Sequence, residues 1–195
     1  MDNASTYPPL LEFYRSLDLA NVQVLYLGLN SCGRATKHVA ARLAGFPRFI
    51  VTDPDLLPYP NTPRDVVPHL ADMLERHPEY NHVGLSFEID DLPDECPLKA
   101  AIVRHESQFW PPQVEQLNDE VYVAPVDTTF AMYRSTSDVN AYAPALRTCR
   151  PYTLKHVDWY RSLSDLSEEY LYYLRTSKPY ATWAADLRKR VAEGS

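Results

Sequence analysis

Apolar and polar positions along the chain follow two different periods, which predict strands and helices in alternation. Short runs rich in β-branched and aromatic residues predict strands, and they cover residues 22–27, 48–52, 82–89, 121–126 and 128–133. Segments whose apolar residues recur every three or four positions predict helices, and they cover residues 10–17, 35–44, 65–76, 98–109 and 165–192, the last with a break at Pro179. This alternation predicts an α/β fold with a mostly parallel sheet flanked by helices.

The length and composition of the chain favour one globular domain with a helical tail. Its 195 residues fall within the ~100–200 residues that one domain usually takes. We expect a domain over residues 1–160 and a helical C-terminal tail, residues 161–195, packed on it. Hydrophobic residues make up 45% and charged residues 23% of the chain, which excludes disordered and fibrous classes for most of it.

Charge, cysteine content and hydropathy bear on partners and location. The formal net charge of −7 argues against a duplex nucleic-acid partner, because such proteins usually carry a basic surface. Three cysteines suit a reducing cytoplasm better than a disulfide framework. No apolar run approaches the ~18–20 residues of a membrane span, and the N-terminus lacks the pattern of a signal peptide. We therefore expect a cytoplasmic protein with no membrane span and no nucleic-acid partner.

Two carboxylates directly after a predicted strand form the sharpest local motif, Asp53-Pro54-Asp55. In open α/β sheets, ligands gather at the carboxyl ends of strands, and Pro54 fixes the backbone between the two acids. Paired oxygen donors suit Mn²⁺ or Mg²⁺, and such an ion can bridge to a diphosphate. The alternative is a polar turn, for which the same three residues are common.

The wider sequence resembles the GT-A glycosyltransferases, in particular the family 2-like enzymes in a bacterial and phage subset. The resemblance covers residues 2–160 and rests on the order and spacing of five segments. They are Asp2-Asn3-Ala4-Ser5-Thr6, Asn30-Ser31-Cys32-Gly33-Arg34-Ala35, Phe49-Ile50-Val51-Thr52-Asp53-Pro54-Asp55, Val126-Asp127-Thr128-Thr129-Phe130-Ala131-Met132-Tyr133-Arg134, and residues 147–160 with His156-Val157-Asp158-Trp159-Tyr160. The third segment resembles the family's strand that ends in a DxD motif.

The resemblance implies a metal site and a nucleotide site. Asp53 and Asp55 match the DxD motif, which implies that one faces the ribose and one the metal, with Asp55 the preferred metal ligand. His156 matches a C-terminal histidine that some GT-A enzymes add to the Mn²⁺ or Mg²⁺ ligands; a buried, hydrogen-bonding histidine is the alternative. Asp2 or Asn3 matches a position that contacts a uracil-like base.

Arg34 and the general base complete the implied residues. Arg34 would approach the nucleotide, although a surface residue at a helix start is the alternative. An inverting transferase needs a general base near the acceptor hydroxyl. Asp127 is the preferred candidate, with a structural cap as its alternative, and Glu106 comes second. Glu88 and the pair Asp90-Asp91 are further candidates, the pair being more typical of a solvated acidic loop.

One departure from the family concerns the N-terminus. The family begins with a strand, a helix and a second strand before the Asp-Asn-x-Ser-Thr turn, whereas Met1 here stands where that second strand ends. The family's first strand lies between the strands predicted at residues 22–27 and 48–52, so these must pair directly or expose edges. Exposed edges favour association, and we expect a homodimer, the commonest closed assembly.

The resemblance implies a glycosyltransferase that moves a sugar from a nucleoside-diphosphate sugar, a UDP-sugar first, to the hydroxyl of an acceptor that the sequence does not specify. Two other functions stay open. The first is a shortened, non-catalytic relative that acts as a binding or assembly module. The second is a metal-dependent nucleotidyltransferase, because paired carboxylates also serve phosphoryl transfer.

Overall fold

The computed structural model describes residues 1–126, 130–134, 139, 143–177 and 182–193, without the side chains of residues 32–34, 182 and 193. The chain divides into two units, one of Met1–Ala41 with Ser164–Ser195 and one of Arg42–Leu163. The first 41 residues group with Ser164–Ser195, and Arg42–Leu163 form what we call the central unit.

Helices form at the positions that the apolar periodicity predicts. In the part of the chain that the structure describes, they are α1 Pro8–Ser16, α2 Ala40–Leu43, α3 Val66–Arg76, α4 Lys99–Glu106, α5 Glu168–Thr176 and α6 Thr182–Glu193, with 3₁₀ turns at Cys32–Val39, Ser107–Phe109 and Val157–Tyr160. The predicted helix over residues 35–44 is therefore mostly a 3₁₀ turn. None of the helices in these described ranges is long and apolar enough to cross a membrane.

In the described residues, the strands all lie in the central unit and form two sheets. They are β1 Arg48–Val51, β2 Leu56–Pro58, β3 His82–Gly84, β4 Ser86–Phe87, β5 Val121–Val123, β6 Ala131–Arg134, β7 Leu146–Thr148 and β8 Thr153–His156. The larger sheet has the order β1-β6-β3-β7-β5, and the smaller has the order β2-β8-β4. Three stretches of chain pass from the larger sheet into the smaller one, since β2, β4 and β8 directly follow β1, β3 and β7.

The α/β class is observed, but the predicted mostly parallel sheet is wrong. Strand β6 runs antiparallel to both β1 and β3, β5 runs antiparallel to β7, and β2 runs antiparallel to β8. Among the strands of the described residues, parallel pairing is confined to β3 with β7 and β4 with β8. Strand direction depends on which distant strand becomes the neighbour, and the local apolar pattern does not contain that information.

The strand predicted at residues 22–27 is also wrong. Its only pairing in the described residues is an isolated parallel bridge between Asp2 and Tyr26, in which the Asp2 N–H donates to Leu25 O at 2.8 Å and the Leu27 N–H donates to Asp2 O at 3.0 Å. Tyr26 is 58% exposed. The segment has strand propensity but lacks the packed face and continuous ladder that stabilise a strand.

The core of the central unit lies between α3 and the larger sheet. Leu70, Met73 and Leu74 of α3 are fully buried, as is Val83 of β3. Three rings also stack in a row across β1, β6 and β3, with centroids 5.5 Å apart for Phe49 and Tyr133 and 4.6 Å apart for Tyr133 and His82. This packing fixes the larger sheet, from which the chain continues into the smaller sheet.

Candidate functional site

Asp55 and His156 meet at one end of the smaller sheet. Strands β2 and β8 are antiparallel with Leu56 opposite His156, so the residue before β2 lies beside the last residue of β8. The Val157 N–H extends the ladder by donating to Asp55 O at 2.8 Å. As a result, Asp55 Oδ2 lies 3.3 Å from His156 Nδ1.

Two buried aromatic rings hold the His156 imidazole in place. The 3₁₀ turn Val157–Tyr160 reverses the chain directly after β8, and this brings the Trp159 ring parallel to the imidazole with centroids 4.7 Å apart. The Phe87 ring contacts the imidazole at 5.4 Å with its plane tilted by 64°. Both aromatic side chains are almost fully buried. The orientation of His156 is therefore fixed by packing, with Nδ1 directed at the Asp55 carboxylate.

Burial and neighbouring charges act in opposite directions on the Asp55 carboxyl. Burial raises the pKa of the Asp55 carboxyl; the His156 imidazole opposes this rise, and the nearby Asp158 carboxylate adds to it. Asp158 itself accepts a hydrogen bond from Arg161 Nε at 2.8 Å. Within the described residues, His156 Nδ1 is buried and makes no hydrogen bond of good geometry, although Asp55 Oδ2 is close by. A bound cation would satisfy both atoms.

The donor set fits a divalent cation as two neighbouring ligands. Imidazole nitrogen and carboxylate oxygen are both ligands of first-row divalent metals. Two adjacent ligands of an octahedral ion, each ~2.1 Å from it, lie ~3 Å apart, which is close to the 3.3 Å between Asp55 Oδ2 and His156 Nδ1. The described residues contain no group of three or more His, Cys, Asp or Glu side chains placed to hold a metal ion. Asp53 therefore does not form a three-ligand cluster with Asp55 and His156.

Asp53 and Asn3 each make local contacts within their own unit. Asp53 is half-buried in the turn between β1 and β2, where its carbonyl accepts a hydrogen bond from Thr52 Oγ1 at 3.0 Å. In the other unit, Asn3 Oδ1 accepts from the Ser31 N–H at 3.1 Å, which joins two of the segments that carry the resemblance. The side chain of Arg34 lies outside the described residues.

Among the described side chains implied for nucleotide binding, that of Asp2 is the most buried, with 4% of the residue's surface exposed. Its Oδ2 accepts from the Ser5 N–H at 3.0 Å across a tight turn, in which Ala4 has a φ of 65°. Its Oδ1 is buried and has no hydrogen-bond partner among the described residues. The turn therefore leaves one carboxylate oxygen for a donor that the described part of the chain does not supply.

The candidate bases have different surroundings. Asp127 lies outside the described residues. Glu106 is buried and accepts a hydrogen bond from Arg147 NH1 at 3.0 Å, while Arg147 Nε donates to Pro125 O at 2.7 Å. The arrangement is typical of a structural ion pair, because both charges are desolvated and each has a partner. Burial raises the pKa of Glu88, but hydrogen bonds and charge from Arg150 outweigh it and hold that pKa below its ordinary value.

A second polar cluster was not predicted from the sequence. Asp91 accepts hydrogen bonds from the hydroxyls of Tyr59 and Tyr160, and Lys155 Nζ lies 3.9 Å from the centroid of the Tyr160 ring. Burial raises the pKa of both tyrosines. Side chains alternate along a strand, so Lys155 of β8 lies on the face opposite His156. Asp91 was one of the candidate bases, but nothing in its local sequence indicated tyrosine partners.

In comparisons with known protein families, curated proteins and solved structures, the chain has no match. What the protein does is therefore inferred from its own residues and their geometry.

Proposed function

We propose that the protein is a GT-A-like glycosyltransferase that moves a sugar from a nucleoside-diphosphate sugar, a UDP-sugar first, to an acceptor hydroxyl. The observation that carries the proposal is the meeting of Asp55 and His156. Both residues are metal ligands implied by the resemblance, and they come from segments far apart in the sequence. The mixed, mostly antiparallel sheets do not contribute to the proposal.

Each residue of the pair has a defined task in the proposed enzyme. Asp55 and His156 would hold Mn²⁺ or Mg²⁺, and the ion would supply Lewis-acid stabilisation of the diphosphate leaving group. Trp159 and Phe87 orient the imidazole and keep water from its faces. The fixed orientation reduces the conformational entropy lost on binding, because the nitrogen ligand is already in place.

The remaining implied residues complete the donor and acceptor sites of the proposal. Asp53 faces the ribose, Asp2 or Asn3 contacts the base, and Arg34 approaches the nucleotide. The unpartnered Oδ1 of Asp2 supports this assignment, because a uracil-like base carries an N–H that a carboxylate accepts. Asp127 remains the proposed general base.

A non-catalytic binding module is the second candidate, and one observation favours it. Residues 22–27 form no continuous strand in the described structure, whereas the resemblance implies a strand of the sheet there. A metal-dependent nucleotidyltransferase is a third candidate, which Asp55 and His156 fit equally well. A screen of nucleoside-diphosphate sugars that measures release of the diphosphate in the presence of Mn²⁺ separates these candidates.

We also propose that the chain forms a homodimer. Strand β1 pairs only with β6 in the described residues, so its other edge is open. Arg48–Val51 on this strand are half-buried rather than fully exposed. An open edge of this kind presents unpaired backbone groups to a second chain, and two-fold pairing closes it.

The metal site is tested by calorimetry with Mn²⁺ and UDP. Asp55→Ala and His156→Ala should each abolish metal-dependent UDP binding, because each removes one of the two converging ligand atoms. Asp72→Ala is the matched control, since Asp72 lies in the same unit, pairs with Arg76 on the surface and should leave binding unchanged. Equal metal-dependent binding by the parent protein and the Asp55 variant rejects the assignment.

A further inference from the structure

A cleft on the central unit lies apart from the Asp55 and His156 pair. It is formed by the loop after β4, by the chain that follows α4, and by Arg150. Its volume is about 470 Å³, within the ~300–1,000 Å³ of small-molecule sites. Neither Asp55 nor His156 lines it. The cleft therefore provides a separate binding surface, and its lining indicates the chemistry of the ligand.

The positive charge of Arg150 is offset by the carboxylates of Glu88 and Asp90. Arg150 Nε donates to Glu88 Oε2 at 2.7 Å, and its NH2 group donates to Glu88 and Asp90. One guanidinium thus faces two carboxylates, and the hydrogen bonds to Glu88 raise the pKa of Arg150. A phosphate, sulfate or carboxylate ligand would meet no uncompensated positive charge here. The charged side chains that line the cleft are Asp90 and Arg150, and because their charges offset each other the cleft favours a neutral ligand over an anion.

The unused hydrogen-bonding groups of the cleft include both donors and acceptors. In the described part of the chain, Arg150 NH1 and the Gln113 side-chain amide have no protein partner, and Asp90 is 71% exposed. Arg150 supplies donors only, Asp90 supplies acceptors only, and Gln113 supplies both. A ligand that satisfies them must itself donate and accept at neighbouring positions.

The walls between these polar groups are apolar and fixed. The Arg150 guanidinium lies 5.0 Å from the centroid of the Trp110 ring, so one face of the cation is held by the indole. Pro111 and Pro112 follow, and their rings line the cleft. Rigid apolar rings offer contact area at little entropic cost, and they suit a ligand that has C–H faces.

We propose that this cleft binds a neutral saccharide. Vicinal hydroxyls of a sugar both donate and accept, so they match Arg150, Asp90 and Gln113, while the C–H face of the ring packs against Pro111 and Pro112. In the proposed transferase this saccharide is the acceptor. That assignment rests on the proposed function, whereas binding itself needs neither the metal pair nor a nucleotide.

Calorimetry on the full chain without metal or nucleotide tests the proposal. The neutral probes are maltohexaose, cellohexaose, xylohexaose and the hexasaccharide of N-acetylglucosamine. A sulfated chondroitin hexasaccharide is the anionic comparator. We expect at least one neutral probe to bind more tightly than the sulfated one. Gln113→Ala and Asp90→Ala should each weaken binding about 5- to 10-fold, the loss of one hydrogen bond, and the double variant by about 25- to 100-fold.

Gln116→Ala is the matched control, because Gln116 lies three residues beyond Gln113 and outside the cleft, where its amide donates to Asn118 O. It should bind as the parent protein does, and thermal unfolding confirms that each variant is folded. The proposal is overturned if no neutral probe binds, if the sulfated probe binds more tightly, or if the folded double variant binds unchanged. The saccharide site and the transferase can also be separated. If the parent protein shows no metal-dependent UDP binding while the saccharide still binds to the Asp55→Ala variant, the transferase is rejected and the saccharide site in the cleft is retained.

Discussion

Replacing His82 should remove much of the acid sensitivity of the central unit. His82 is fully buried in β3, its ring stacks on Tyr133, and both ring nitrogens lack a hydrogen bond in the described structure. Burial lowers its pKa from 6.5 to about 4, because a charged imidazole would lose its hydration without gaining a partner.

The sign and size of the effect follow from the lowered pKa. Between pH 6.5 and pH 4 the unfolded chain binds a proton at His82 that the folded chain does not bind. The free energy of unfolding therefore keeps its full value with respect to His82 above pH 6.5 and decreases as the pH falls towards 4. Each tenfold change in proton affinity corresponds to ~1.4 kcal/mol, so the loss amounts to about 3 kcal/mol across this range.

Urea unfolding at pH 7.0 and pH 4.5 measures this loss in the parent protein, His82→Phe and His82→Leu. Phenylalanine keeps the ring stack with Tyr133 and does not titrate, and leucine tests whether the aromatic ring is needed. Both variants should lose less stability on acidification than the parent. Gln116→Ala is the control, because the exposed Gln116 side chain carries no titratable group and its replacement should leave the pH dependence unchanged. Identical pH dependence in the parent and both His82 variants would refute the reasoning.

Three further predictions concern the ion pair, the base and the assembly. Glu106→Ala should lower the free energy of unfolding by about 3–5 kcal/mol, because it leaves the Arg147 charge buried and unpaired. The double variant Glu106→Leu/Arg147→Met should recover most of the lost stability. If urea unfolding shows only a small effect of Glu106→Ala, the ion pair is not structural. Asp127→Asn should lower turnover ~10²–10⁴-fold with donor binding little changed; parent-like turnover excludes it as the base. Light scattering at micromolar concentration should give twice the 22.4 kDa chain mass, and a concentration-independent single-chain mass rejects the dimer.

The sequence predicted helices well because their information is local. In α3, Val66, Leu70 and Leu74 recur at helical spacing, and Leu70 and Leu74 are fully buried as that spacing requires. The C-terminal helices α5 and α6 also lie where they were predicted. Helix hydrogen bonds join residues four positions apart, so the pattern that buries one face also identifies the element.

Strands were predicted less completely, because each needs a partner that its own sequence does not specify. Residues 48–52 form β1 as predicted, whereas residues 22–27 have similar propensity and form only a bridge. Residues 82–89 were predicted as one strand, but they divide at Leu85 into β3 and β4, which belong to different sheets. Pairing, direction and sheet membership were decided by tertiary contacts.

The residues of the candidate sites could be named from the sequence only in part, and their contacts could not. The sequence indicated Asp55 and His156 as metal ligands through the order of its motifs, while their 3.3 Å approach depends on the antiparallel register of β2 and β8. The contacts of Arg150 with Glu88 and Trp110 had no signal in the sequence. The chain therefore determined by itself which residue types were available and where helices form. Only the tertiary structure decided which distant side chains share a site, because charge, burial and hydrogen bonding depend on neighbours in space.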